Sequence, residues 1–147
     1  MWIDERGSEV LTAPECHRLL AVGAEEHRHG HLGISQPGAP IVLPLNYAVH
    51  GTDVLVQIGE GVFERVESQL VAFQVDGASA APGTGGPPPQ IWSVLLQGLA
   101  VEESQDVPGE HIPHPQVAIP GERLVRIRAD VVTGRRFSSR PVPERPS

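Results

Sequence analysis

The sequence predicts a small, mainly β domain: a six-stranded antiparallel barrel preceded by one short helix. Short apolar runs recur from residue 30 onward, bounded by Gly, Pro, Asn or Asp, the pattern of strands joined by tight turns. No helix-length segment separates consecutive runs, which excludes a parallel sheet built from strand–helix–strand units. The one clear helical pattern stands ahead of them all.

That helix opens at Thr12-Ala13-Pro14-Glu15. A threonine three residues ahead of a glutamate can exchange hydrogen bonds with it across the first turn, and a proline there sacrifices no donor. The helix should run over about residues 13–24, with Cys16, Leu19, Leu20 and Gly23 on one face. Cys16 then reads as a small core residue, not a nucleophile.

Strand patterns follow. His31-Leu32-Gly33-Ile34-Ser35 alternates and runs into the turn signal Gln36-Pro37-Gly38-Ala39-Pro40. Residues 41–49 make the second strand and 53–58 the third, joined as a hairpin by the polar link at His50-Gly51-Thr52-Asp53. Residues 62–68 suit one or two helical turns. Leu70-Val71-Ala72-Phe73-Gln74-Val75 is the fourth strand, closed by Asp76-Gly77. The Gly/Pro/Ala/Ser tract 78–89 reads as a mobile surface loop, and 91–101 as a long fifth strand. Acids and prolines fill 102–122. The stretch 124–131 alternates strictly, so Val125, Ile127, Ala129 and Val131 should face inward. Residues 1–137 are expected to form one domain, and 138–147 a disordered tail.

Composition narrows the function classes. The net charge is −7, and all eleven positive charges are arginines; nucleic-acid binding, which runs on phosphate neutralisation, is not expected. The single Cys16 excludes an intrachain disulfide and suits a reducing cytoplasm. No stretch is long and apolar enough to span a bilayer. The start, Met1-Trp2-Ile3-Asp4-Glu5, lacks the order of a signal peptide. At 147 residues the chain can bury a core and still share surfaces with a second copy.

Four blocks, in this order, carry a resemblance. They are Glu15-Cys16-His17-Arg18-Leu19-Leu20 with Gly30-His31-Leu32-Gly33-Ile34, then Leu43-Pro44-Leu45-Asn46-Tyr47-Ala48-Val49-His50-Gly51. Val71-Ala72-Phe73-Gln74-Val75-Asp76 with Trp92-Ser93-Val94-Leu95-Leu96-Gln97-Gly98 is the third, and Val125-Arg126-Ile127-Arg128 with Thr133-Gly134-Arg135-Arg136 the last. Together they resemble the pyridoxamine 5′-phosphate oxidase-like family of flavin-binding split barrels, in its short actinobacterial form. The resemblance implies a homodimer with flavin mononucleotide (FMN) in two equivalent clefts at the subunit interface. It lays the isoalloxazine ring along Pro44, Leu45, Asn46 and Tyr47. It puts the phosphate around Gln57, Ile58, Gly59, Gly61, Val62, Phe63 and Arg65. Trp92 and Ser93 would complete the cleft, often from the other subunit. No catalytic residue is implied.

Extended backbone offers donors and acceptors to a flavin's pyrimidine edge, and an apolar wall suits its dimethylbenzene end. At the phosphate the chain departs from the family's pattern. Gln57 and Ile58 stand where relatives carry a cation and a hydroxyl, and Gly61-Val62-Phe63 replaces Gly-Thr-Lys. The missing cation would come from Arg65, flanked by Glu60, Glu64 and Glu67, or from Arg126, Arg128, Arg135 or Arg136 of a second copy.

His27-x-His29-x-His31 would point three imidazoles to one side if extended, a metal or haem-ligand geometry. Gly30 interrupts it and no acid or cysteine completes it. The segment therefore reads as a solvated loop leading into the first strand; His111 and His114 fall in an irregular stretch, and no metal site is expected. Asn46, polar inside an apolar run, needs a hydrogen-bond partner, from a ligand or from a cross-strand neighbour. Two function classes stay open. One is a flavin or deazaflavin oxidoreductase acting on an unidentified small molecule. The other is a non-catalytic split barrel that has weakened or lost its flavin and works as a binding or scaffold module, with haem as a further alternative. Oxidation of pyridoxamine phosphate itself needs a further basic cluster that this lysine-free chain does not offer.

Overall fold

A computed structural model describes residues 2–3, 8–78, 90–103 and 122–138. After two short strands, β1 (Trp2–Ile3) and β2 (Glu9–Val10), comes helix α1 (Ala13–Glu25). The capping box forms: Thr12 Oγ1 accepts from the Glu15 N–H at 3.3 Å, while the Thr12 N–H donates to Glu15 Oε1 at 3.4 Å. Cys16, Leu19, Leu20 and Gly23 are its buried residues, as the spacing requires. Burial pushes the Cys16 thiol above its usual range.

Thr12→Ala should cost about 1 kcal/mol of helix and fold stability, read as a lower urea midpoint. The Thr12 hydroxyl holds the Glu15 carboxyl below its usual range. A depressed folded-state value contributes stability that is complete above the ordinary glutamate range and lost as pH falls through the folded value. The deficit of the variant should therefore shrink in acid.

The strands that follow are β3 (His29–Ile34), β4 (Ile41–Asn46), β5 (Ala48–His50) and β6 (Asp53–Ile58). Helix α2 (Glu60–Val66) leads to β7 (Leu70–Ala78), β8 (Gln90–Glu102), β9 (Arg123–Ile127) and β10 (Val131–Ser138). All pairings are antiparallel, and the main path runs β1-β2-β10-β8-β7-β3-β4. The long β8 serves two neighbours in turn: its first part pairs with β10, and Ala100–Glu102 pairs with β9, which passes the sheet on to β6 and β5. This curled antiparallel sheet is a split barrel. The inward residues of β3, β6, β7, β8 and β9 fill it, with the buried face of α1 closing one end, where Gly23 lies against Val75 and Trp92. Trp92 fits because Gly77 and Gly23 leave room: a Cβ on Gly77 would fall 2.5 Å from its ring.

Several expectations need correction. The second strand is two: it breaks at Tyr47, whose ring turns inward and whose hydroxyl donates to the Leu20 carbonyl at 2.6 Å. Only Ala48–His50 forms the hairpin with Asp53, Val54 and Leu55; the stretch before it pairs with β3. The helical turns start earlier, at Glu60, and β7 runs on through Asp76 and Gly77. The alternation of 124–131 holds through Val125, Ile127 and Ala129, which packs against the core, and fails at Val131. β9 stops at Ile127 because residues 128–130 fold across β8: the Arg128 N–H donates to the Leu99 carbonyl, and Asp130 Oδ2 accepts from the Leu99 N–H. Gly98 permits this, since a Cβ there would lie 1.8 Å from the Arg128 carbonyl oxygen. Val131 is consequently exposed and opens β10, a strand not expected from the pattern. The first strand starts earlier than expected: His29, read as part of a loop leading into it, already lies in β3 with His31. Among the described residues there are thus ten strand segments rather than six. The tract 79–89 and the tail beyond residue 138 lie outside the described residues.

Candidate functional site

Strand β4 ends the main sheet path: it pairs with β3, and among the described residues no strand covers its other edge. Pro44 suits that place, because proline cannot donate into a ladder and is confined to edges. The inward side of β4 presents Ile41 and Leu43, partly buried, toward the turn where β6 ends. There Gly59 leads into α2. Between these walls runs a groove of about 770 Å³, lined by Ile34, Ile41, Leu43, Gly59, Val62 and Arg65, with Glu60, Gly61 and Glu64 around it. It is mostly apolar with a few polar groups, the usual make-up of a small-molecule site.

Arg65 spans the groove. Its Nη1 donates to Gln36 Oε1 on the β3–β4 turn, and Gln36 Nε2 in turn donates to the Ala39 carbonyl at 3.0 Å. Among the described residues its partner is a neutral amide, which leaves the guanidinium charge available to an anion. The neighbouring cation is differently placed. Arg123 lies over the buried Phe63 ring at 4.7 Å and holds Glu60 by two hydrogen bonds and Glu102 by a third at 2.9 Å. Glu60 above all raises its proton affinity. Two carboxylates thus neutralise Arg123, and Phe63 serves as its platform.

The expected site residues divide into three groups. Gly59, Gly61, Val62 and Arg65 line one groove, and Pro44, Leu45 and Asn46 pass along the strand that walls it. Tyr47, Ile58 and Phe63 turn their side chains into the core, and Gln57 sits within the β6–β9 ladder opposite Leu124. Trp92 and Ser93 stand on β8, separated from β4 by β7 and β3; Trp92 is buried in the barrel and Ser93 accepts from Gln74 Nε2 at 3.0 Å. The arginines of the C-terminal block are engaged within their own chain. Arg126 is paired with Asp53 at 3.0 Å and with Glu103 at 2.6 Å. Arg128 lies 3.5 Å from Asp130, Arg135 donates to Ser8 Oγ, and Arg136 is 3.7 Å from Glu9 and 3.9 Å from Glu15. Ile34, Gln36, Ile41, Leu43 and Arg123 were not anticipated at the site. Gln36 stood in a visible turn signal, but nothing local ties it to Arg65, 29 residues away.

The sequence profile described as pyridoxamine 5′-phosphate oxidase matches residues 12–136. The chain belongs to that family. Solved structures share the fold. An FAD-binding protein from Mycobacterium smegmatis is 24% identical with a TM-score of 0.65, covering 88% of this chain and 99% of its own. An FAD-binding protein from Mesorhizobium loti is 22% identical with a TM-score of 0.66, covering 89% and 99%. A flavocytochrome from Azotobacter vinelandii is 18% identical with a TM-score of 0.61, covering 92% and 72%. None of the curated proteins matches significantly. No helix among the described residues is long and apolar enough to cross a membrane.

Proposed function

We propose that this member of the pyridoxamine 5′-phosphate oxidase family binds a flavin, FMN, in two clefts of a cytoplasmic homodimer, and that it is an oxidoreductase for a small molecule. The observation that carries this is the juxtaposition, among the described residues, of a strand edge that no other strand covers with a mostly apolar groove holding Arg65, whose hydrogen-bond partner there is the neutral Gln36 amide. The groups present fit the cofactor. The open edge of β4 has peptide groups for the pyrimidine ring, Ile41, Leu43 and Val62 exclude water from the apolar end, and Gly59 and Gly61 let the backbone approach closely. Arg65 meets the phosphate, held in place by Gln36. Flavin chemistry supplies the electron transfer; the chain supplies position and shelter. The dimer is supported by three of the most exposed large apolar side chains, Val42, Leu70 and Val131, which converge on one further groove of about 540 Å³, since monomers rarely leave such patches open.

A second reading has its own support. With Phe63 in place of a lysine and Arg123 neutralised by Glu60 and Glu102, the phosphate end has, among the described residues, Arg65 as its remaining cation beside Glu60 and Glu64. A chain that has lost its flavin and serves as a scaffold would look like this. Absorbance separates the two. Purified protein should be yellow, or become so with added FMN, and bleach on reduction. Protein that stays colourless in excess FMN supports the scaffold; a deazaflavin titration and a Soret band after haem addition test the remaining alternatives.

A further inference from the structure

His29 and His31 stand two residues apart in β3, and both are exposed while Gly30 and Leu32 between and after them are buried. In a strand such residues leave the same face, with Cα atoms about 6.6 Å apart. Two imidazoles can lean across that gap to share one metal ion at bond lengths of about 2.0–2.1 Å. His27 does not join them. Its φ of 56° puts it in the turn before the strand, out of line with the pair.

The platform under the pair is stiff. β3 is hydrogen-bonded on both sides, to β4 and to β7. The pleat between the histidines is pinned by Phe73, whose ring lies where a Gly30 side chain would be: an added Cβ would fall 2.0 Å from Cζ. Chelation by a fixed strand therefore sacrifices little backbone freedom. The neighbours suit a cation as well. Asn46 lies opposite His29; Gln74 lies opposite His31, with its Nε2 bonded to Ser93 Oγ, so that the amide oxygen is the acceptor a ligating imidazole's second N–H calls for. Asp76 is exposed on the same face of β7. The adjacent cation, Arg28, is paired with Glu26 at 2.7 Å. Among the described residues no group of three or more ligating side chains is gathered, so water would complete the coordination.

We propose that His29 and His31 form a two-imidazole chelate for a divalent transition metal, Cu²⁺ ahead of Ni²⁺ and Zn²⁺, as imidazole donors and the Irving–Williams order require. Neither histidine lines the groove beside α2; the pair lies on the outward face of β3, near the end away from the Val42–Leu70 groove. The test is calorimetric titration of the tag-free full chain with each metal salt, alongside amide NMR with sub-stoichiometric Cu²⁺. One saturable site per chain is expected, with signals of residues 29–32, 46 and 74 broadened first. His27→Ala should leave it intact, and Gln74→Leu should weaken it by about tenfold. The double variant His29→Ala/His31→Ala should lose the site with an unchanged circular dichroism spectrum, since both side chains are exposed. Retention of the site in that variant, broadening centred elsewhere, or the absence of saturable binding would each overturn the proposal.

Discussion

Truncating Phe73 to alanine should lower the stability of the fold by about 3–5 kcal/mol, the range for deleting a fully buried aromatic ring. Its ring has no exposure, meets Tyr47 edge-on at a centroid distance of 5.4 Å, and covers Gly30. Little can collapse into the space, because β3 and β7 are held by ladders on both sides. Phe73→Leu, which keeps most of the volume, should cost far less. Gly30 supplies an internal control. Gly30→Ala alone should destabilise strongly, since its methyl would overlap the ring. In the Phe73→Ala background the same methyl enters the vacated space, and the cost should fall or reverse. Urea denaturation of the four proteins measures the coupling. Equal costs of Gly30→Ala in both backgrounds would show that the ring is not what requires glycine there.

Arg65→Glu should weaken FMN binding by at least about tenfold, the equivalent of one modest charge-assisted contact of roughly 1.5 kcal/mol. The low end applies because Arg65 is exposed and solvent screens its charge. The substitution sets a third carboxylate beside Glu60 and Glu64, both of which border the groove. Riboflavin, which has the ring and lacks the phosphate, should bind both proteins alike. Arg65→Gln, which removes the charge while keeping an amide within the groove, should fall between them for FMN. Titration by flavin fluorescence quenching reads all three. If riboflavin and FMN lose affinity equally, Arg65 supports the groove wall through Gln36 and does not meet the phosphate.

Much of this was legible residue by residue. Helix α1 could be read because its signals act within one turn: the Thr12–Glu15 exchange and the spacing of Cys16, Leu19, Leu20 and Gly23. The cores of β6, β7 and β8 could be read because a run of apolar residues ended by turn chemistry is also a local signal. The groove was half legible. Gly59, Gly61, Val62 and Arg65 came from one short stretch whose family pattern is contiguous. Ile34, Ile41 and Leu43 read as ordinary strand residues, because their facing α2 depends on where β6 ends in space.

By itself the sequence determined the class of the domain, the family, the helix, and the charge poverty of the phosphate turn. Those follow from side-chain types and spacings over a few residues. Among the described residues, the tertiary structure decided which edge no strand covers, that Tyr47 turns into the barrel, that Val131 leaves the line of Ile127, and that Arg126, Arg128, Arg135 and Arg136 are engaged by acids and a serine. Each of these is a choice among distant partners, settled by which ladders and buried contacts can be satisfied together. The pair at His29 and His31 shows the division most plainly: the spacing was in the chain, but only pairing on both sides of β3 made it a face.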